Sequence, residues 1–159
     1  MKRVIVFPGS FDPITLGHED LVVRASELFD HVIVTVAHNI NKQACFSHEQ
    51  RLAMAATALS DQANVSVMPM EGLLVDFLAQ HKTIWVLRGM RNHDDRRYEQ
   101  DVYAANRLLM PDIEILSLWS KPELSGLTSS AVREVLAFNG NVSAFVSSPV
   151  REIIASKKD

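Results

Sequence analysis

The sequence has very little cysteine and no long apolar run. Cys45 is the single cysteine among 159 residues, so no disulfide can form within the chain and a reducing compartment is the simplest expectation. No stretch approaches the roughly 20 apolar residues of a membrane span. The apolar run at the N-terminus is too short for a signal peptide and is broken at Pro8. We therefore expect a cytoplasmic protein without a membrane anchor.

An excess of positive charge is also absent. Sixteen Lys and Arg residues against 19 Asp and Glu residues give a net charge of -3. This balance argues against attraction of the whole surface to nucleic acid or to an anionic membrane, so any anion site must be a local cluster. The length and the 47% hydrophobic fraction predict one ordinary globular domain over residues 1–159.

Several familiar site signatures are missing. The chain contains neither a G-x-x-x-x-G-K-[ST] phosphate loop nor a G-x-G-x-x-G dinucleotide loop. His-Glu pairs at 18–19 and 48–49 begin the pattern of a zinc-binding helix, but Val22 and Leu52 stand where the second histidine would be. The six histidines are scattered along the chain, so we predict no metal-ligating residues.

The pattern that is present is an alternation of strands and helices. Runs rich in Val and Ile, several of them apolar on both faces, predict strands at 3–7, 31–37, 64–70, 83–89 and 113–119. Helices are predicted at 17–29, 47–60, 73–81, 94–110, 128–139 and 142–157, with Ser47 and Gln50 in the spacing of a capping box. This order predicts an α/β fold with a doubly wound, five-stranded parallel sheet covered by helices on both faces.

In such a sheet the ligand binds beyond the carboxyl ends of the strands. After the first strand, Gly9 allows a close backbone approach and Ser10 adds a hydroxyl. Gly17 and His18 then open a helix, where unpaired N–H groups and the helix dipole suit an anion. A proline-stiffened loop with a surface histidine explains this stretch equally well when it is considered alone.

Cationic candidates follow two other strands. Arg88 ends the fourth strand and Arg91 follows in the turn, where guanidinium groups can hold phosphate in a bidentate manner. Arg96 and Arg97 are expected to be solvated or paired with nearby carboxylates. Lys42 follows the second strand, and by itself it is expected to be a solvated lysine.

A cluster of hydroxyls follows the fifth strand. Thr128, Ser129 and Ser130 stand where a helix should begin, so they predict either a second anion site or a simple N-cap. One hydroxyl would be enough for the cap, which favours the anion site mildly.

Several segments together resemble a known superfamily. TLGH at 15–18 resembles the T/H-x-G-H motif of the nucleotidyltransferases, and LTSSAVRE at 127–134 resembles their S-S-x-V-R/K-E motif. Four further segments narrow the resemblance to the phosphopantetheine adenylyltransferase family. They are RGMR at 88–91, YE at 98–99, NKQACFSHEQR at 41–51 and EGLLVDF at 71–77. The resemblance extends from residue 3 to about residue 150, and the co-occurrence in order is far more specific than any one motif.

The resemblance implies a Rossmann-like fold and an enzyme. Members transfer the adenylyl group of ATP to 4′-phosphopantetheine, forming dephospho-coenzyme A and pyrophosphate during coenzyme A biosynthesis. The resemblance further implies Mg²⁺ with the ATP, assembly as a homohexamer and feedback binding of coenzyme A. An in-line displacement without a covalent intermediate is expected. No general base is needed, because a phosphate monoester is largely dianionic at neutral pH.

The resemblance also assigns residues. It implies that His18 stabilises the transition state and that the acceptor is bound by Ser10, Lys42, Leu74 and Arg88. It implies ATP contacts from Ser10, Phe11, His18, Gly89, Met90, Arg91, Glu99, Leu124, Ser125, Gly126, Leu127, Thr128, Ser129 and Ser130. The chain departs from the family pattern at Arg96 and Arg97, at Leu124, and in the loop HNIN at 38–41.

Two other functions stay open. The first is a sister enzyme that adenylylates nicotinamide mononucleotide or uses a cytidylyltransferase substrate. The second is a nucleotide-binding sensor that keeps the fold without catalysis. The joint presence of His18, Lys42, Arg88 and Arg91 favours catalysis, since a sensor would not need the complete set.

Overall fold

The computed structural model describes residues 2–38 and 43–156. Within these ranges strands and helices alternate, as the sequence predicts. The strands are β1 (Val4–Gly9), β2 (His31–Ala37), β3 (Val65–Met70), β4 (Trp85–Met90) and β5 (Glu114–Trp119). The helices are α1 (Leu16–Leu28), α2 (His48–Ala58), α3 (Leu74–Gln80), α4 (His93–Leu109), α5 (Ser129–Ala137) and α6 (Ser148–Ser156), with a 3-10 turn at Pro122–Leu124.

Five predicted boundaries were wrong by two residues or more: the ends of β1, α2 and α5 and the starts of β4 and α6. The first strand was expected to end at residue 7, but its pairing with β2 continues to Gly9, opposite Val36. The last helix was expected from residue 142, but it begins at Ser148. Pro149 fits the first turn of a helix and would interrupt one that began at 142, so the chain turns over residues 142–147 first. The predicted capping box of α2 is confirmed, because Ser47 and Gln50 bond each other's backbone N–H groups.

All five strands are parallel, in the order β3-β2-β1-β4-β5. The chain moves outward from β1 to β3 and then returns to place β4 on the other side of β1. The strand order therefore reverses between β1 and β4, and the boundary between these two strands is the topological switch point of the sheet. Only Ile5 and Val6 of β1 pair with β4, opposite Trp85 and Val86. The two strands separate beyond Val6, so a crevice opens between their carboxyl ends.

Helices cover both faces of the sheet, which confirms the predicted doubly wound fold. One face packs on α1, α2, α5 and α6 through a buried cluster that includes Leu21, Met54, Val132 and Val150. The other face packs on α3 and α4 through a second cluster that includes Val6, Leu78 and Val86. Neighbouring residues Ile5 and Val6 of β1 enter opposite clusters, as the period of a strand requires.

The helices of the described ranges include none that is both long and apolar enough to cross a membrane.

Candidate active site

A cleft of about 520 Å³ lies where β1 and β4 separate. Its walls come from four places in the fold: the end of β1 with the turn after it, the start of α1, the end of β4 with α4, and the start of α5. Of the residues predicted for the site, the lining includes Ser10, Phe11, His18, Arg88, Gly89, Arg91, Glu99, Leu124, Leu127, Thr128, Ser129 and Ser130. Segments that are far apart in sequence thus meet at one site.

His18 is fixed by the way α1 begins. Thr15 is the N-cap residue and its backbone N–H donates to Nδ1 of His18 across 3.0 Å. The hydroxyl of Thr15 donates to the carbonyl of Leu127 at 2.8 Å, which ties α1 to the segment before α5. Because Nδ1 accepts a hydrogen bond from an N–H group, the proton of a neutral imidazole is on Nε2. Nε2–H is therefore the donor that His18 can offer to a ligand.

The charge state of His18 agrees with this tautomer. Desolvation in the cleft, reinforced by the positive charge of Arg91, lowers the pKa of His18 from 6.5 to about 4. The imidazole is thus neutral at pH 7 in the absence of ligand, and its Nε2–H can donate a hydrogen bond without a net charge on the ring.

Two phenylalanine rings support the imidazole. The Phe11 ring meets it edge-on, with centroids 5.1 Å apart and planes at 80°. Phe7 in turn meets Phe11 edge-on at 5.3 Å. Phe11 is buried with φ of +44°, and a Cβ at Gly9 would lie 2.9 Å from its ring. Gly9 was predicted to allow a close approach of backbone to ligand, and in the structure its bare Cα makes room for the Phe11 ring.

The two predicted phosphate-binding arginines are each paired with a carboxylate of α4. Arg88 is held by Glu99 through two bonds of 2.7 Å, with both side chains largely buried. Arg91 donates to Asp95 at 3.0 Å and 3.2 Å, and this pair is more exposed. Arg91 and Asp95 are an i, i+4 pair, which an anion entering the cleft can exchange at modest cost.

The hydroxyl cluster at the start of α5 has divided roles. Thr128 is the N-cap, and its Oγ1 accepts from the N–H of Ala131 at 3.0 Å. Ser129 donates to the carbonyl of Pro13 at 2.7 Å, and Ser130 accepts from Arg133 at 3.1 Å. One hydroxyl satisfies the cap, as expected. Ser129 connects α5 to the turn after β1, whereas Ser130 bonds within α5. The positive ends of two helix dipoles, those of α1 and α5, border one cleft.

Four more predicted residues are described and lie outside the lining of the cleft. Leu74 begins α3 and packs against the cluster on the opposite face of the sheet. Met90 ends β4 opposite Trp119, and Ser125 and Gly126 follow the 3-10 turn. Lys42 falls outside the residues that the structure describes. The assignment of all five to a binding site stays a prediction.

Three charged residues that organise the cleft were not predicted. Asp12 and Arg51 are buried, and Arg133 lines the cleft beside Ser130. A signal for Arg51 existed in the sequence, because Arg51, Met54 and Ala55 are spaced to share one face of α2, and that face is buried. No comparable signal marked Asp12, whose partners lie more than 30 residues away.

Within residues 2–38 and 43–156, no cluster of three or more His, Cys, Asp or Glu side chains could hold a metal ion. The two carboxylates that line the cleft, Asp95 and Glu99, are both bonded to arginine. The Mg²⁺ expected with ATP stays a prediction.

Known proteins of similar sequence decide the family. A sequence model of the cytidylyltransferase-like family matches residues 6–135. A protein of Thiobacillus denitrificans named phosphopantetheine adenylyltransferase is 45% identical over 152 residues, which cover 96% of this chain and 95% of that protein. The chain belongs to the phosphopantetheine adenylyltransferase family.

Two further comparisons extend this result. The protein of that name from Limosilactobacillus fermentum is 39% identical over 155 residues, which cover 98% of this chain and 90% of that protein. A crystal structure of a candidate nicotinate-nucleotide adenylyltransferase from Vibrio parahaemolyticus superposes with a TM-score of 0.73, covering 99% of this chain and 94% of that one. Its identity of 18% shows the fold alone. The family predicted from the TLGH, RGMR and LTSSAVRE segments is thus confirmed.

Proposed function

We propose that this chain transfers the adenylyl group of ATP to 4′-phosphopantetheine, with release of dephospho-coenzyme A and pyrophosphate. Family membership supports the reaction, and one observation in the structure carries it: the neutral His18, with Nε2–H as its donor, stands in a cleft bordered by the first turns of α1 and α5. Such a cleft suits a transfer between two phosphate groups.

The chemical step is a single in-line displacement. An oxygen of the acceptor phosphate forms a bond to the α-phosphorus of ATP while the bond from that phosphorus to the β-phosphate oxygen breaks, and pyrophosphate leaves with the electron pair. The second pKa of a phosphate monoester is about 6, so the nucleophile is already dianionic at neutral pH. The protein therefore needs donors and cations that align two anions and relieve their repulsion.

The residues of the cleft divide this task. His18 would donate from Nε2 to an oxygen of the α-phosphate as charge develops there. Ser10, directly after β1, would orient the attacking phosphate together with Arg88. The family resemblance adds Lys42 to this task. Arg91 and the N–H groups at the start of α5 would hold the leaving pyrophosphate. The remaining predicted ATP contacts would hold the nucleoside and the outer phosphates.

Magnesium would be part of the ATP substrate. The cleft offers no cluster of carboxylates for a resident ion in its described part. Bound to the ATP phosphates, the ion would neutralise charge on the leaving group. The residues named above would then bind an already partly neutralised anion.

We also propose an oligomeric state, a feedback ligand and a cellular compartment. A homohexamer is supported by large apolar side chains on the surface of the described chain, among them Leu108, Trp119 and Phe138. Static light scattering would measure the mass directly. Coenzyme A, which contains the same pantetheine arm, would compete with the acceptor as a feedback ligand, and a reducing cytoplasm is the expected compartment.

A pyrophosphate-release assay tests the reaction and separates it from its alternatives. With Mg–ATP, we expect release with 4′-phosphopantetheine and little with nicotinamide mononucleotide. Mass spectrometry should detect dephospho-coenzyme A as the product. Release only with another acceptor, or with CTP in place of ATP, would identify a sister enzyme. Binding of ATP without release for any acceptor would indicate a sensor and overturn the proposal.

A further inference from the structure

We propose that Asp12 is a positioning residue for the acceptor half of the site, and this inference rests on the function proposed above. Asp12 is 6% exposed, and its carboxylate accepts two backbone hydrogen bonds from the segment that leads into α2. Oδ2 accepts from the N–H of Cys45 at 2.8 Å, and Oδ1 accepts from the N–H of Phe46 at 2.9 Å. Each oxygen has its own donor, so the side chain fastens the connection between β2 and α2 to the turn after β1.

Arg51 binds the same two connections through their carbonyl groups. Its Nη1 donates to the carbonyls of Ser10 at 2.7 Å and Ala37 at 3.0 Å, and its Nε donates to that of Phe46 at 3.3 Å. Both the N–H and the C=O of Phe46 are thus held by buried charged groups. This arrangement fixes the position of Ser10, a predicted acceptor contact, relative to the segment after β2.

Arg133 attaches Asp12 to the ATP side in a different way. Its Nη1 donates to the backbone carbonyl of Asp12 at 2.9 Å, and its Nη2 donates to Ser130 at 3.1 Å. The backbone of Asp12 therefore bonds toward α5, and its side chain bonds toward the segment before α2. Nη1 of Arg133 also lies 4.0 Å from Oδ2 of Asp12, so a change confined to the carboxylate removes the charge of this long ion pair. It should release the two N–H groups on the acceptor side and leave the 2.9 Å bond from Arg133 to the backbone carbonyl in place.

The sequence explains why the contact of Asp12 with Cys45 and Phe46 affects binding of the acceptor. Lys42, which the family resemblance assigns to the acceptor, precedes Cys45 by three residues. Ser10, also assigned to the acceptor, precedes Asp12 by two residues and lines the cleft. Loss of the two bonds from Cys45 and Phe46 would let the turn that carries Ser10 shift, and a displacement of about 1 Å can reduce a rate on the order of 10²-fold.

Asp12→Asn is the sharpest test. The amide has the shape of the carboxylate but replaces one acceptor oxygen with an NH₂ donor, so one of the two backbone N–H groups faces another donor. We expect the KM for 4′-phosphopantetheine to rise roughly 10- to 100-fold, with the KM for ATP changed by less than about threefold. Asp30→Asn is the matched control, because Asp30 also accepts a backbone N–H, from Arg3 at 2.7 Å, but lies away from the cleft.

A second measurement does not depend on catalysis. Amide hydrogen exchange of Cys45 and Phe46 in the ligand-free Asp12→Asn protein should be at least about tenfold faster than in the wild type, without a general increase elsewhere. A variant with unchanged exchange at these amides, or with equal rises in both KM values, would overturn the inference. A lower melting temperature with unchanged kinetic constants would do the same. An inactive wild-type protein would instead contradict the proposed function. The exchange rates of the Cys45 and Phe46 amides would still test whether Asp12 holds this segment.

Discussion

The backbone N–H of Thr15 donates to Nδ1 of His18 across 3.0 Å. In a common capping box the third helical residue is Glu or Gln, whose side chain accepts from the N–H of the cap residue. Here His18 takes that position and accepts through a ring nitrogen. The bond that caps α1 is therefore the bond that selects the Nε2–H tautomer, so the start of the helix also orients the proposed catalytic donor.

His18→Ala should lower kcat by about 10²–10³-fold, the usual loss for one donor to a developing charge. Binding of ATP should change little, because the rest of the cleft keeps its phosphate-binding groups. Steady-state kinetics and calorimetric titration with ATP would measure the two effects. His81→Ala provides a control, since His81 packs on Phe77 at the end of α3 and does not line the cleft. A near-normal kcat for His18→Ala would exclude the role.

The lowered pKa of His18 predicts a loss of stability in mild acid. Its pKa is about 4 in the folded protein against 6.5 as the ordinary value, so the unfolded chain binds more protons between these pH values. Stability therefore falls as the pH is lowered through this window, by at most about 3 kcal/mol from this group. The free energy of unfolding, measured in urea at pH 7.5, 6 and 4.5, should fall more steeply for the wild type than for His18→Gln. Parallel curves would contradict the prediction.

Much of the fold could be predicted because its signals are local. Strands that are apolar on both faces, separated by amphipathic helices, allow essentially one arrangement, a covered parallel sheet. The rule that ligands bind at the carboxyl ends of strands then places residues such as His18, Arg88 and Thr128 on one edge before any contact is known.

The details of the cleft could not be predicted because they depend on tertiary geometry. The pairing of Arg88 with Glu99 depends on how α4 leaves β4, and the bonds of Asp12 to residues 45 and 46 depend on the packing of two loops. Gly9 shows the same limit. Its bare Cα is needed because Phe11 adopts a positive φ and turns its ring back, which no pattern in the sequence indicates.

The two arginine pairs should differ in their contribution to stability. Glu99→Gln removes the charge and one acceptor from a bidentate pair whose side chains are only 22% and 12% exposed. We expect a loss of about 1–3 kcal/mol in the free energy of unfolding. Asp95→Asn should lose no more than about 1 kcal/mol, because its pair with Arg91 is more exposed. Urea denaturation of both variants checks the order, and equal losses would show that burial does not distinguish the pairs.

Gly89→Ala should destabilise the contact between α1 and β4. A Cβ at Gly89 would lie 2.5 Å from Cδ1 of Leu21, which is 4% exposed, so the Leu21 side chain would have to shift. We expect a loss of about 1–3 kcal/mol from overpacking. Gly126→Ala is the matched control, because a Cβ there meets no atom within 4 Å, and its stability should change by less than about 0.5 kcal/mol. Adding Leu21→Val should recover part of the loss, since the shorter side chain withdraws the colliding methyl group. Losses that simply add in the double variant would place the effect of Gly89→Ala outside this contact.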